Sequence, residues 1–218
     1  MIEFTLADIV LNLIKASVWT IVLSLVSFVG GSIVGLLILL MRTSRLQVLR
    51  NLSAGFIKLF QGTPLLMQLF LAFFGIALMG VSVPAWMAAG LALILWTAAF
   101  LAEIWRGCVE ALPRGQWEAS SSLAMSFTQQ MRYVVLPQAL RIAIPPTVGF
   151  CIQIVKGTSL TSIIGFVEVA KAASNLANAT LAPLPVYATT AIIYFALCFP
   201  ISKFSRKLER DFNVAHQH

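Results

Sequence analysis

The residues that could do chemistry in this chain are few, and most of them lie in apolar surroundings. Lys156 is followed by Thr158, Ser159, Thr161 and Ser162 inside a run that is otherwise largely aliphatic. An ammonium there can meet a carboxylate, with hydroxyls to hydrogen-bond around it. Gly62, Thr63 and Pro64, with Gln68 one turn later, make a second polar, helix-breaking place. Polar groups inside a membrane are costly and are functional candidates by default. Helix-breaking residues in a span point to ligand sites. A structural reading competes with this one, because Ser and Thr can satisfy helix carbonyls or join helices, and a lysine can snorkel to an interface.

Other chemistries find no constellation. Cys108, Cys151 and Cys198 stand alone, none in a metal-type spacing. Two of them lie in apolar stretches, where a thiol behaves as a small hydrophobe. Both histidines, His216 and His218, are at the very C-terminus, so neither a Ser–His pair nor a metal set can be assembled. No cofactor is called for. Glu103 is expected to pair with Arg106 at i+3. A phosphate-cradling GxxxxGK[ST] loop is absent, and Lys156-Gly157-Thr158-Ser159 has some of its letters in the wrong order. If ATP drives this protein, another chain hydrolyses it.

Such sites need a scaffold, and composition says which kind. Of 218 residues, 59% are hydrophobic and only 11% charged, with a mean hydropathy of +0.91. Soluble domains carry about 25% charged residues. A soluble fold of this length could not bury so much apolar surface and still coat itself with polar groups, so the bilayer must be the solvent for much of it.

A spanning helix needs about 20 apolar residues. Apolar runs, uncharged except for Lys156 in the fourth, predict spans at about 16–41, 59–79, 84–102, 142–164 and 186–202. The first holds Gly31 and Gly35 at GxxxG spacing, which lets helices approach closely. Gly80 and Pro84 divide the second from the third, leaving a tight uncharged turn. Before the first span, Leu6, Ile9, Val10, Leu13 and Ile14 repeat at helical spacing, which predicts either a short interfacial helix over 3–15 or an extension of the span itself. Residues 103–141 form the longest stretch outside the membrane. The whole chain, 1–218, reads as one transmembrane domain.

Charge orients it. With the N-terminus outside, the inner loops and tail hold twelve of the fifteen basic residues, including Arg42, Arg45, Arg50 and Lys58 in the first loop and Lys203, Arg206, Lys207 and Arg210 in the tail. That is the positive-inside pattern, N-out and C-in, and it accounts for the +7 net charge without nucleic acid.

The inner segment carries the sharpest motif. It reads Glu118-Ala119-Ser120-Ser121-Ser122-Leu123-Ala124-Met125-Ser126, then Arg132-Tyr133-Val134-Val135-Leu136-Pro137-Gln138-Ala139-Leu140-Arg141. This resembles the EAA loop of bacterial ABC importer permeases. Ala102-Glu103-Ile104-Trp105-Arg106-Gly107, Leu112-Pro113-Arg114-Gly115-Gln116-Trp117, Gln61-Gly62-Thr63-Pro64-Leu65-Leu66-Met67-Gln68 and Lys156-Gly157-Thr158-Ser159-Leu160-Thr161-Ser162 look like the polar amino-acid branch of that family. The departures are Ser120 for an alanine, Ala124 for a glycine near the turn, Gln61 for a common arginine, and Gly157 for a common acidic or polar residue. If position 124 needs positive φ, alanine costs about 1 kcal/mol or more there.

The resemblance implies an all-α integral membrane protein of five transmembrane helices in the bacterial cell (inner) membrane. A cytoplasmic coupling helix between helices 3 and 4 would dock into a cleft on an ABC ATPase subunit. Glu118, Ala119, Ser120, Leu123, Ala124, Met125, Leu136 and Pro137 are the expected coupling residues. Glu118 would favour the start of that helix, and Pro137 would give a stiff exit from the loop. The substrate-pathway candidates are Thr63, Pro64, Gln68, Lys156, Thr158, Ser159 and Ser162. The implied partners are a second permease copy or a paralogue, an extracytoplasmic solute-binding protein and a polar amino acid. An autonomous secondary transporter or channel is the competing function. Such proteins commonly bury acidic or histidine groups, and the predicted spans contain no Asp, Glu or His.

Overall fold

In the computed structural model the described residues are 5–44 and 46–214, with the side chains of 213 and 214 left aside. Arg45, His216, His218 and the first residues of the expected interfacial helix lie outside them. Every regular element among the described residues is helical.

Helix α1 runs unbroken over Leu6–Arg42. A capping box starts it: Asp8 N–H donates to the Thr5 hydroxyl at 3.2 Å, and Thr5 N–H donates to Asp8 Oδ2 at 3.0 Å. No Gly or Pro interrupts its first turns, so the amphipathic stretch is not a separate interfacial helix; it extends α1. At 37 residues the helix is about 55 Å long against a hydrocarbon core of about 30 Å.

The second expected span, 59–79, is not one helix. Helix α2 covers Gln47–Gly62 and α3 covers Leu65–Leu78, bent by 104° where they meet. Thr63 (φ −113°, ψ 142°) and Pro64 (φ −61°, ψ 135°) are extended between them. Proline has no N–H to continue a helix and biases the residue before it out of the α region. Within α3, Leu71–Gly75 forms a π turn. The predicted tight turn comes next, with Gly80 at φ 85°.

Helix α4, Ala85–Glu110, continues eight residues past the expected end at 102. The extension is polar but helical, because Arg106 pairs with Glu103 and Glu110 three and four residues away. The expected polar loop 103–141 is therefore mostly helix. Only 111–113 and 123–126 lie outside helices, on either side of α5, Arg114–Ser122. Helix α6, Phe127–Ile164, starts fifteen residues before the expected span at 142. It opens through a second π turn, Met131–Val135, carries Pro145 and Pro146 without breaking, and tightens to a 3₁₀ turn over Ser159–Ile164. Gly165 at φ 90° ends it. A helix absent from the sequence reading, α7, spans Val169–Thr180. Helix α8, Pro183–Val214, contains the last expected span and runs well beyond it.

Four of these helices are long and apolar enough to cross a membrane, or five if the bent α2–α3 pair is one span. Only 28% of the most apolar stretch of α1 and 11% of that of α8 are buried in the monomer; such apolar yet uncovered surface needs lipid or another subunit around it. The chain is a multi-pass membrane protein. What α1 does bury is small. A Cβ on Gly31 would sit 2.4 Å from Thr97 Cγ2, and one on Gly35 3.1 Å from the Ala98 carbonyl, so the GxxxG face lies directly on the α4 backbone. Next to this seam the rings of Trp96, Phe100 and Phe150 cluster with centroids 4.9–5.4 Å apart, Phe100 stacked on Phe150, and tie α4 to α6.

Candidate functional site

Three places hold the residues of interest. The first is α5 and the turn after it. Pro113 precedes the helix, so Glu118 falls in its middle and not at its start, and the expected dipole benefit does not apply. Glu118, Ala119 and Ala124 are exposed, as is Leu123 at 76%, while Ser120 turns inward and donates to the Trp117 carbonyl at 2.9 Å.

The helix closes with Ala124 N–H donating to Ser121 O at 2.9 Å and Met125 N–H to Ser120 O at 3.3 Å, a Schellman pair. Ala124 takes φ 55°, so alanine does occupy a left-handed position that glycine would fill more cheaply. Gln130, buried, reaches back to Ser121 Oγ at 2.9 Å and Met125 O at 3.2 Å. Gln138 Nε2 donates to Gln116 Oε1 at 3.1 Å. These two glutamines strap α5 to α6, and sequence reasoning passed over both. Beneath, Trp117 and Met131 rest on Val109, Leu112, Val135 and Ala139. Leu136 and Pro137 are not a loop exit; they lie in α6 just after the wide turn. The outward face of α5 is thus a rigid, exposed knob with one carboxylate and one large apolar side chain.

The second place is the α2–α3 break. Gln68 is buried, and its Nε2 donates to Phe60 O at 2.8 Å, Thr63 O at 3.1 Å and Thr63 Oγ1 at 2.9 Å. Its side chain closes the gap that Pro64 opens, while its Oε1 is buried with no hydrogen-bond partner among the described residues. A Cβ on Gly157 would meet Leu65 Cδ2 at 3.2 Å. The segments that hold Thr63, Pro64 and Gln68 and that hold Lys156, Thr158, Ser159 and Ser162 therefore meet. Within the second segment, Thr158 donates to Val155 O at 2.8 Å, Ser159 to Lys156 O at 2.7 Å and Thr161 to Thr158 O at 2.6 Å. These hydroxyls satisfy carbonyls of their own helix, the alternative that the sequence left open. Lys156 is exposed.

The third place was not anticipated. Glu168 has no solvent exposure. Its Oε1 accepts from Lys171 N–H at 3.0 Å, capping α7, and its Oε2 accepts from the Thr20 hydroxyl at 3.3 Å and the Tyr194 hydroxyl at 2.6 Å. Thr20 in turn accepts from Val169 N–H at 3.3 Å. One carboxylate thus joins α1, α7 and α8. The available signal was a lone acid between two apolar runs, three residues before a lysine; hydropathy placed it outside the spans. The pair expected from spacing is present, with Glu103 receiving two hydrogen bonds from Arg106 at 2.9 and 2.5 Å. Among the described residues no three His, Cys, Asp or Glu side chains gather as a metal site.

Known proteins share this fold. Over 199 residues, the chain is 36% identical to the probable amino-acid ABC transporter permease protein YckA of Bacillus subtilis (strain 168), covering 91% of this chain and 88% of that one. It is 34% identical to the L-cystine transport system permease protein TcyB of the same organism, covering 88% and 82%. A crystal structure of an amino acid ABC transporter with histidines superposes with a TM-score of 0.89 at 32% identity, over 92% of this chain and 94% of that one. Residues 27–214 match the binding-protein-dependent transport system inner membrane component family, and the chain belongs to it.

Proposed function

We propose that this chain is the transmembrane permease subunit of an ATP-binding-cassette importer, moving a polar amino acid across the bacterial inner membrane by alternating access. The observation that carries the reading is the α5 knob. An exposed nine-residue helix is locked at its C-terminus by a left-handed closure and strapped to α6 by Gln130 and Gln138. A helix held this way can pass a push from an ATPase cleft into α6 without bending. Glu118, Ala119, Leu123 and Met125 form its contact surface, Ser120 and Ala124 set its shape, and Leu136 and Pro137 lie just past the wide turn in the helix that it moves. The relatives' names support an amino acid as cargo. Twelve cations in the inner loops and tail support N-out, C-in, with α5 cytoplasmic.

The substrate path runs where α3 meets the end of α6. Lys156 offers an ammonium to a substrate carboxylate, and Gln68 Oε1, Thr63 and Ser162 offer polar contacts beside Pro64. Thr158 and Ser159 shape the wall from behind. The exposed apolar flanks are covered by a second permease copy or a paralogue, and a solute-binding protein delivers the amino acid from outside.

Co-purification from membranes of wild type and Glu118→Lys tests the reading. Wild type brings down an ATPase subunit; the variant loses it and still inserts. A wild-type chain that carries no ATPase and transports an amino acid alone in vesicles is a secondary transporter instead.

A further inference from the structure

We propose that this chain holds one anionic phospholipid of the leaflet at the C-terminal end of α1, its phosphate among Arg42, Arg50 and Arg106 and an acyl chain along α1, α4 and α6. Two adjoining hollows carry the inference, which rests on α1 being a membrane span. The first, of about 560 Å³, is lined by Arg42 at the end of α1, Arg50 of α2, Arg106 and Glu110 of α4, and Trp117 of α5. The second, of about 330 Å³, is an apolar groove lined by Ser32, Leu36, Trp105, Leu136 and Leu140 among others. Val109 belongs to both walls.

The charges are asymmetric. Arg106 is held by Glu103 and Glu110. Among the described residues Arg42 and Arg50 have no carboxylate at ion-pair distance. Among those residues Arg42 Nε is buried with no hydrogen-bond partner, and the Arg50 side chain bonds only to the neutral Gln47 side chain and, at 3.5 Å, to the Ser44 carbonyl. Three arginines against Glu110 in the wall and Glu103 behind it leave a surplus of one positive charge, which suits the single negative charge of a phosphodiester.

The groove supplies the rest. From Ser32 to Arg42 α1 rises about 15 Å, half of a hydrocarbon core of about 30 Å, so the groove spans the depth of one leaflet and ends at the arginines. An acidic side chain of a partner protein would use the arginines alone and leave the groove empty; a phospholipid fills both.

The transporter, purified in mild detergent with any ATPase subunit bound, is supplied with equal phosphatidylglycerol and phosphatidylcholine and weighed by native mass spectrometry. Wild type retains one phosphatidylglycerol per permease chain. Arg42→Gln and Arg50→Gln each weaken retention about fivefold. Arg141→Gln, the same charge change at an exposed residue outside the cavity, leaves it unchanged. The half-exposed Arg50→Gln variant alone keeps the test open if Arg42→Gln misfolds. Equal retention of phosphatidylcholine overturns the proposal, as does equal loss in Arg141→Gln. So does full displacement by millimolar inorganic phosphate, or arginine variants that shed the ATPase subunit but keep the lipid. A preparation without any ATPase subunit sinks the importer assignment yet leaves the lipid readout intact.

Discussion

The hydroxyl of Tyr194 in α8 donates a 2.6 Å hydrogen bond to Glu168, a carboxylate with no solvent exposure at the start of α7. With Thr20 of α1 on the same oxygen, the consecutive helices α7 and α8 and the far-off α1 depend on one acid. Glu168→Ala strands a phenol, a threonine and a capping N–H together, and is expected to destabilise by about 3 kcal/mol. Tyr194→Phe leaves the carboxylate with its other two donors and costs about 1 kcal/mol. Thermal unfolding in detergent orders the two. If Tyr194→Phe melts as low as Glu168→Ala, the carboxylate is not the centre of the junction.

Gly31 and Gly107 make a paired test of the α1–α4 seam. A methyl on Gly31 meets Thr97 at 2.4 Å, whereas one on Gly107 finds nothing within 4 Å. Gly31→Ala is expected to cost about 1–3 kcal/mol. Gly107→Ala is expected to be neutral or to gain up to about 1 kcal/mol from reduced backbone freedom. Equal melting temperatures for the two variants would contradict the close seam.

Position 124 carries the opposite expectation. Because Ala124 sits at φ 55°, Ala124→Gly relieves a left-handed residue of its Cβ and stabilises by about 1 kcal/mol, while Ala124→Val destabilises. The same melting assay reads both, and ATPase co-purification with Ala124→Gly stays at the wild-type level. Loss of stability in the glycine variant would place the closure in another geometry.

Gln68 and Lys156 separate architecture from transport. Gln68→Leu removes the donor that serves Phe60 and Thr63, and is expected to cost about 2 kcal/mol. Lys156, exposed in the chain, is expected to give way to Met with no change in melting but with a rise in KM for uptake of at least about tenfold, the loss of one charge-assisted hydrogen bond. An unchanged KM removes Lys156 from the substrate path.

Hydropathy and charge found the features that depend on composition. The apolar runs of α1, α4, α6 and α8 were legible, as was the tight turn at Gly80 and Pro84. Boundaries were not, because Glu103, Arg106 and Glu110 look like a loop by hydropathy yet pair along one helix. The break at Thr63-Pro64 was visible as chemistry, but its depth was not: the 104° bend is closed by Gln68 Nε2 on the Phe60 carbonyl and the two Thr63 oxygens, contacts that no hydropathy pattern reveals. The α5 motif was read from its letters, and the left-handed Ala124 was foreseen as a condition. The straps from Gln130 and Gln138 escaped notice because glutamines spaced along a polar segment carry no periodic signal. Glu168 escaped for the reverse reason: burial by three separate helices is a long-range fact that no local window holds.

The wide turns at Leu71–Gly75 and Met131–Val135 bear on how this chain tolerates changes in length. A π turn holds a residue more than α geometry needs. Deleting one residue there, such as Phe74 or Arg132, lets the turn relax to an ordinary one and keeps every later side chain on its face. The same deletion in α1 rotates the remainder of that helix by about 100° and tears the glycine seam from α4. Insertions and deletions between homologous permeases are therefore expected to collect at these two turns, where the helix carries slack.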